Sequence, residues 1–321
     1  MEQYGAHISV IICVYTMQRW VDICEAVDSV RRQTLWADEL IIVVDHNPEL
    51  LETCRAAFAD AIVVANDRTR GLSGARNTGI SRSTGEIVAF LDDDAVADRD
   101  WLAILSQHFK RPEVLGVTST ILPDWKSRRP GWFPEEFLWT VGCTYKGGPS
   151  RLQEIRNVQG ASALLRRSIF AKAGGFSAGL GRAGAKLPLS CEETELCIRA
   201  KAAHPDGCFL FEPATAVFHK VTAARTTWSY FVLRCYAEGL SKAFLTDLSG
   251  TSSVLKVERD YVVRALAQAV LRDVSLAFSR FDLSGFKRAG AIFVGLASTS
   301  AGFLVGKLSA TDKRRAAPVR A

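Results

Sequence analysis

Ile87-Val88-Ala89-Phe90-Leu91-Asp92-Asp93-Asp94 joins five apolar residues to three consecutive carboxylates. The apolar run follows Gly85 and predicts a strand of a sheet that is covered on both faces. Open α/β sheets bind ligands at the carboxyl ends of their strands. Adjacent carboxylates repel one another, and a hard divalent cation with oxygen ligands relieves that repulsion. These eight residues therefore predict a metal site at the end of a buried strand, with a solvated acidic turn as the alternative.

Strand and helix patterns alternate over the first 125 residues. Helices of this length between strands indicate parallel crossovers, so we expect an α/β fold with a doubly wound, mostly parallel sheet and flanking helices. The predicted strands cover residues 8–14, 40–44, 61–65, 87–91 and 114–121, and the predicted helices cover 21–32, 49–58, 72–82 and 99–109.

The composition is that of a globular protein. Of the 321 residues, 48% are hydrophobic and 23% are charged, which excludes a disordered chain. The eight cysteines form no Cys-x-x-Cys pair, which argues against a zinc site or a disulfide framework and fits a reducing cytosol. The amino-terminal residues show no secretory signal pattern. We therefore expect a cytoplasmic location.

The last third of the chain is basic and helical in pattern. From Lys220 onward there are 16 Lys and Arg against 7 Asp and Glu, which suggests an anionic partner. Nucleic acid is not expected, because no nucleic-acid-binding signature is present. The run Ala289–Gly306 carries no charge and is flanked by Lys287, Arg288 and Lys307. A core helix, an interfacial segment and a membrane span all stay open, but the basic flanks favour an anionic membrane surface.

Two domains are expected from these patterns. Residues 1–225 form the predicted α/β domain with the strand-end carboxylates, including a loop-rich part at about 123–220, and residues 226–321 form a helical, basic, membrane-associating region. Aromatic residues in the middle region either contact a bound ligand or pack against the sheet: Trp125, Trp132, Phe133, Phe137 and Trp139.

Polar residues follow the other predicted strands as well. Val14-Tyr15 ends the first strand, Asp45 ends the second, and Arg76 lies in the connection after the third. An aspartate there can accept a hydrogen bond from a base or ribose, and an arginine can pair with phosphate in a bidentate manner. With the three aspartates, these residues predict a site for a nucleoside diphosphate bridged by a cation.

Six segments in this order resemble family 2 glycosyltransferases of the GT-A fold. Two segments depart from the family pattern: Asp45 is followed by His46-Asn47-Pro48, and the usual Glu-Asp pair is Glu192-Glu193. The six segments are ISVIICVYT (8–16), VVDHNPE (43–49), RGLSGARNTGI (70–80), FLDDDAVADRDWL (90–102), GASALLRRSIFAKAGGF (160–176) and EETELCIRA (192–200).

The resemblance implies a role for each donor-side residue. Asp45 and the backbone of Val14 and Tyr15 would hold the nucleobase, most often uracil, and Arg76 would lie by the base and diphosphate. Residues Asp92 and Asp93 would contact ribose and metal.

The resemblance also implies a metal and a catalytic base. Asp94 would coordinate Mn2+ or Mg2+, with Asp92 and His219 as further ligands, and an imidazole beside carboxylates is compatible with Mn2+. Glu193 would be the general base on the acceptor side, with Glu192 as the second choice.

The expected activity is inverting, metal-dependent transfer of one sugar from a nucleotide-sugar, with a UDP-sugar expected, to a hydroxyl of a glycan. A lipid-linked or cell-envelope glycan at the inner face of the cell membrane fits the basic, apolar tail. A nucleotidyltransferase is less favoured, because residues 15–19 after the first strand contain no glycine. A non-catalytic membrane-associated partner protein conflicts with the intact acidic cluster. A processive synthase would need a Gln-x-x-Arg-Trp signature, and Gln18-Arg19-Trp20 lies too near the amino terminus.

Overall fold

The computed structural model describes residues 5–177, 190–249, 261–279 and 283–316. The described chain divides into two units. Residues 5–124, 149–177 and 192–220 form the first unit. Residues 125–148, 190–191, 221–249, 261–279 and 283–316 form the second.

A nine-stranded sheet is the core of the first unit, with strand order β3-β2-β1-β4-β8-β6-β9-β5 and β7 paired with β9. The pairs β1–β2, β1–β4 and β2–β3 are parallel, whereas β4–β8, β6–β8, β5–β9 and β7–β9 are antiparallel. The α/β class is thus confirmed, with the parallel pairs in the amino-terminal part. The strands are β1 (Ile8–Val14), β2 (Glu39–Val44), β3 (Ile62–Ala65), β4 (Ile87–Asp92), β5 (Ala95–Ala97), β6 (Val114–Trp125), β7 (Gln153–Ile155), β8 (Ser162–Arg166) and β9 (Cys208–Val221).

Helices cover both faces of this sheet. Alternate residues of β1 divide between two apolar clusters, with Val10 and Ile12 in one and Ile11 in the other. Asn47 caps α2, because its side chain accepts a hydrogen bond from the Leu50 amide at 3.1 Å. The helices are α1 (Trp20–Arg31), α2 (Pro48–Ala57), α3 (Leu72–Arg82), α4 (Trp101–Ser106), α5 (Ser168–Ala173) and α6 (Glu192–Ala203).

Strand register brings the acidic residues to one edge of the sheet. Cys13 of β1 lies opposite Asp92 of β4, so both strands end at the same level. In the antiparallel pair β5–β9, Ala95 lies opposite His219. The Lys220 amide donates to the carbonyl of Asp94 at 2.8 Å, which fixes the turn between β4 and β5 against β9.

The second unit is helical in its described residues. It contains a 3-10 helix (Glu135–Val141), α7 (Trp228–Ser249), a π-helical turn (Tyr261–Leu266), α8 (Ala267–Ser279) and α9 (Ser284–Ala316). In α9, the segment Ser284–Ser309 is long and apolar enough to cross a bilayer, with mean hydropathy 1.6 and 33% of its most apolar window buried.

Aromatic packing accounts for part of the middle region. Phe133 and Phe137 are buried, and their rings lie 5.7 and 5.3 Å from the ring of Phe231. Trp132 contacts the same ring at 5.5 Å. These three side chains therefore pack against α7.

Arg288 does not act as a simple basic flank of the apolar run. Its Nε contacts the buried carboxylate of Asp273 at 3.3 Å, and its Nη1 donates to the hydroxyl of Ser284 at 2.8 Å. Asp273 also accepts from Arg272, at 3.0 Å from Nη2. The Arg288 guanidinium therefore neutralises a buried acid.

Candidate active site

Three predicted metal ligands converge at the edge of the sheet. One ligand atom each of Asp92, Asp94 and His219 lies within 4.8 Å of the others. The His219 Nε2 is 3.2 Å from Asp94 Oδ1, and both side chains are buried. Asp92 follows from the end of β4, whereas His219 reaches the site through the β5–β9 pairing.

An arginine that follows β1 bridges two of the acids. Arg19 Nη1 donates to Asp93 Oδ1 at 2.5 Å, and its Nη2 lies 3.2 Å from Asp94 Oδ2. The guanidinium also lies over the Tyr15 ring, 5.1 Å from its centroid. A 3-10 turn, Met17–Arg19, directs this side chain toward the acids, and Thr16 caps the turn.

The carboxyl group of Asp93 is buried next to other charged groups. Burial raises the pKa of its carboxyl group to about 7, Arg19 acts against this rise, and Asp94 and Asp92 add to it. Its Oδ2 is buried and has no hydrogen-bond partner among the described residues. The same holds for Nδ1 of His219 within the described part of the chain. A bound cation or ligand at this position would supply partners for these two buried polar atoms.

Arg76 connects Asp92, one of the predicted metal ligands, to the two glutamates. Its Nη1 donates to Glu193 Oε1 at 2.7 Å and lies 3.7 Å from Glu192 Oε1. Its Nη2 is 3.6 Å from Asp92 Oδ1. Burial lowers the pKa of Arg76, but Glu193 and Asp92 outweigh it and raise the pKa, so the guanidinium stays charged.

The pair formed by Arg76 and Glu193 is closely confined. Arg76 is 2% exposed, and its guanidinium lies over the Phe90 and Phe176 rings at 5.7 and 5.1 Å from their centroids. A Cβ atom added at Gly160 would overlap both the Arg76 guanidinium and the Glu193 carboxylate. Gly160 therefore leaves the space that this ion pair fills.

The predicted base-binding residues lie at the ends of β1 and β2. The Asp45 amide donates to the Val14 carbonyl at 2.8 Å. The Asp45 carboxylate accepts from Asn66 Nδ2 at 2.7 Å and from the Gly71 amide at 3.0 Å. Gly71 has a φ of 119°, a conformation that favours glycine. These contacts orient Asp45 beside the strand end.

The charge balance and the donor atoms of the site fit a hard or borderline divalent cation. Two carboxylates and one imidazole are the donor set that Mn2+ accepts, and carboxylates alone suit Mg2+. Among the described residues, the ion pairs of the site join five carboxyl groups to two guanidinium groups: Asp92, Asp93, Asp94, Glu192 and Glu193 against Arg19 and Arg76.

Comparison with known proteins identifies the family. The sequence profile of glycosyl transferase family 2 matches residues 9–174, just over half of the chain. The chain belongs to this family. It is a glycosyltransferase enzyme, as the sequence predicted.

Two curated relatives align with most of this glycosyltransferase. The glucosyl-dolichyl phosphate glucuronosyltransferase of Haloferax volcanii is 34% identical over 306 residues, which cover 94% of this chain and 96% of the relative. The succinoglycan biosynthesis protein ExoM of Rhizobium meliloti is 26% identical over 242 residues, 73% of each chain.

A solved structure shares the fold of this glycosyltransferase. The mannosyltransferase PcManGT from Pyrobaculum calidifontis, in complex with GDP-Man and Mn2+, has a TM-score of 0.60 at 15% identity and covers 95% of this chain and 88% of its own. The predicted GT-A fold is thereby confirmed.

Sequence reasoning missed one residue of the glycosyltransferase site, Arg19. The sequence analysis gives Arg19 no role in the acidic site, and Arg19 is separated from Asp93 by 74 positions. The three acids after β4 were the available signal, because buried carboxylates favour a basic side chain nearby, and the end of a neighbouring strand can supply one.

Proposed function

We propose that this glycosyltransferase transfers one sugar, with inversion, from a nucleotide-sugar to a hydroxyl of a lipid-linked glycan, with Mn2+ or Mg2+ as cofactor. The observation that carries the proposal is the junction at Arg76. This guanidinium contacts the metal-side acid Asp92 and the acceptor-side acid Glu193 at once. A site that holds a leaving diphosphate and a general base needs these two groups close together.

For the donor, we assign the nucleobase to Asp45 and the backbone of Val14 and Tyr15. A UDP-sugar is the expected donor, and its ribose would contact Asp92 and Asp93. Asn66 and Gly71 support this assignment, because they fix the Asp45 carboxylate in place. The name of the Haloferax relative adds glucuronic acid to the sugars to be tested.

For the metal, we assign Asp94, Asp92 and His219 as ligands. A divalent cation bound there would offset the negative charge that builds on the departing diphosphate. Arg19 already compensates part of the charge of Asp93 and Asp94. Mn2+ in the solved neighbour and the donor atoms of this chain support the assignment.

For catalysis, we assign the general base to Glu193 and keep Glu192 as the second choice. The Glu193 carboxylate accepts the hydroxyl proton while the acceptor oxygen attacks the anomeric carbon and the bond to the diphosphate breaks. One direct displacement inverts the anomeric configuration. Arg76 donates a hydrogen bond to Oε1 of Glu193, so we assign the acceptance of the hydroxyl proton to Oε2. Both glutamates begin α6, where the helix dipole favours negative charge.

For the acceptor, the Haloferax relative is named for a dolichyl phosphate that carries glucose. We extend this to a hydroxyl of a lipid-linked, cell-envelope glycan at an anionic membrane surface on the cytoplasmic side. Residues 1–225 would carry the donor and metal chemistry, and residues 226–321 the membrane association. The apolar α9 supports that division.

A nucleotide-release screen tests the proposal. UDP-, GDP- and dTDP-sugars, UDP-glucuronic acid included, are incubated with the protein and a glucosylated polyprenyl phosphate, in Mn2+, Mg2+ or a chelator. We expect metal-dependent release from a UDP-sugar, acceptor-dependent product of inverted anomeric configuration by NMR, and no release by Asp94→Ala. Release that continues in the chelator would refute the metal assignment, and a product of retained configuration would refute the mechanism.

A further inference from the structure

The second unit exposes a row of large apolar side chains along α8 and α9. On α8, Leu271 and Phe278 are 72% and 69% exposed. The rings of Phe278 and Phe286 are 5.3 Å apart, so the rows on the two helices meet. We call this surface the α8–α9 apolar face; its large members are Leu271, Phe278, Phe286, Phe293, Leu304 and Leu308, all at least 42% exposed.

The α9 part of this face is a narrow stripe. At about 100° per residue, positions 286, 293, 304 and 308 fall within about 60° of one another around the helix axis. Lys287 and Lys307 lie on opposite sides of the stripe by the same count. An apolar stripe with lysines along its edges is typical of a helix that lies in a membrane interface, where the lysines reach the headgroups.

The opposite side of α9 is fixed to α7 by close backbone packing. A Cβ atom added at Gly302 would overlap the carbonyl of Tyr236, and one added at Gly239 would overlap the carbonyl of Thr299. At Gly306 it would overlap the side chain of Ala243. The two helices therefore touch over about two turns of each, and α9 cannot leave α7 without losing this contact.

This packing decides how α9 can meet a bilayer. Along the same stretch of α7, Glu238 lies 3.9 Å from Arg234 and 3.6 Å from Lys242. If α9 crossed the bilayer while packed on α7, these ionised groups would enter the hydrocarbon, which is costly even for paired charges. The length and hydropathy of α9 allow a span, but its partner helix does not.

We propose that the α8–α9 apolar face lies flat in one leaflet of an anionic membrane and that α9 does not cross it. The charge of the helices supports this occupant. Residues 261–279 and 283–316 contain 8 Lys and Arg against 2 Asp and Glu, and one of the two acids, Asp273, is buried against arginines. The inference rests on the proposed function, because a lipid-linked acceptor places the enzyme at a membrane, and it adds the surface and the mode of attachment.

Vesicle flotation of the full chain tests the surface. The double variant Phe293→Glu/Leu304→Glu is compared with Trp36→Glu/Leu152→Glu, which changes two other large apolar side chains that are more than half exposed. Wild type and control should float with phosphatidylglycerol vesicles. The α9 variant should bind on the order of 100-fold more weakly, because two large apolar side chains no longer leave water. Equal flotation of the α9 variant and the control overturns the proposal.

Protease accessibility tests the mode. Tags are placed at both ends of the chain, and inside-out membrane vesicles from expressing cells are treated with protease. In-plane binding leaves both tags open to cleavage, whereas protection of the carboxyl-terminal tag alone shows a span and refutes the proposal. Light scattering without lipid measures the oligomeric state of the wild type and of the α9 variant. If the wild type is a dimer that does not float with vesicles, and the α9 variant is a monomer, the face binds a second copy of the chain and the proposal is refuted. Donor nucleotide release by the α9 variant should stay within about twofold of wild type, so failure of the proposed chemistry is measured separately.

Discussion

A methyl group at Gly160 tests whether the Arg76–Glu193 ion pair is needed for sugar transfer. In Gly160→Ala the new Cβ would overlap Glu193 Oε1 and the Arg76 guanidinium, both of which are ends of side chains. The backbone can therefore stay in place while the ion pair moves. Ordinary contacts of a methyl group lie near 3.5 Å or beyond, so each charged group must retreat by on the order of 1 Å.

The expected cost in stability is small. Lengthening an ion pair of 2.7 Å by that amount loses about 1 to 2 kcal/mol at an effective dielectric constant of 20. Replacing glycine by alanine returns about 0.4 to 1 kcal/mol by restricting the unfolded chain. The Tm should fall by less than about 5 °C. The turnover number should fall about 100-fold, because the base is displaced from its working position.

The assay combines sugar-transfer kinetics with a thermal melt of the same preparation. Gly131→Ala is the matched control, because among the described residues its Cβ would meet Ser284 alone, at 3.7 Å, and its activity should equal that of wild type. If Gly160→Ala transfers sugar at near wild-type rate while the control behaves as expected, the geometry of the ion pair is irrelevant to catalysis. That result would remove the main support for Glu193 as the base.

Four further changes test the remaining assignments. Asp94→Ala should abolish the enhancement of UDP binding by Mn2+ in calorimetry, and unchanged enhancement would refute the metal site. Glu193→Gln should lower turnover about 10²- to 10⁴-fold with little change in donor affinity; a fast Glu193→Gln and a slow Glu192→Gln would move the role to Glu192. Arg19→Gln should destabilise the metal-free protein by about 3 kcal/mol, because the buried acids Asp93 and Asp94 lose their counter-charge. Added Mn2+ should restore much of the lost Tm, and a Tm that does not recover would contradict metal binding beside Arg19. Truncation after residue 282 should lower the soluble yield, because it uncovers the α7 side that packs on Gly302; a more soluble product would contradict the packing.

The parallel part of the fold could be predicted closely from the sequence. The predicted strand at 8–14 and helix at 72–82 coincide with β1 and α3, because long apolar runs and a glycine before the helix mark them. The strands β5 and β7 were missed, since three residues are too few to show a periodicity. The antiparallel pairings were also missed, because an apolar strand pattern does not reveal its direction.

The site residues that lie close together in the sequence could be predicted. The three aspartates lie together at the end of one buried strand, and the acidic pair opens one helix. Arg19 was not predictable in this way, because only the β1–β4 register brings it to Asp93. Arg288 shows the same limit, since its acid partner Asp273 lies on another helix.

The guanidinium of Arg76 is shared between the two ends of the reaction. It contacts Asp92, where the diphosphate and metal are expected, and Glu193, where the acceptor is expected. Any ligand that draws Asp92 away changes how strongly Arg76 holds Glu193, and thermodynamic linkage requires the reverse effect to be equal. Donor and acceptor affinities should therefore depend on one another, and saturation with either substrate should change the affinity for the other by the same factor.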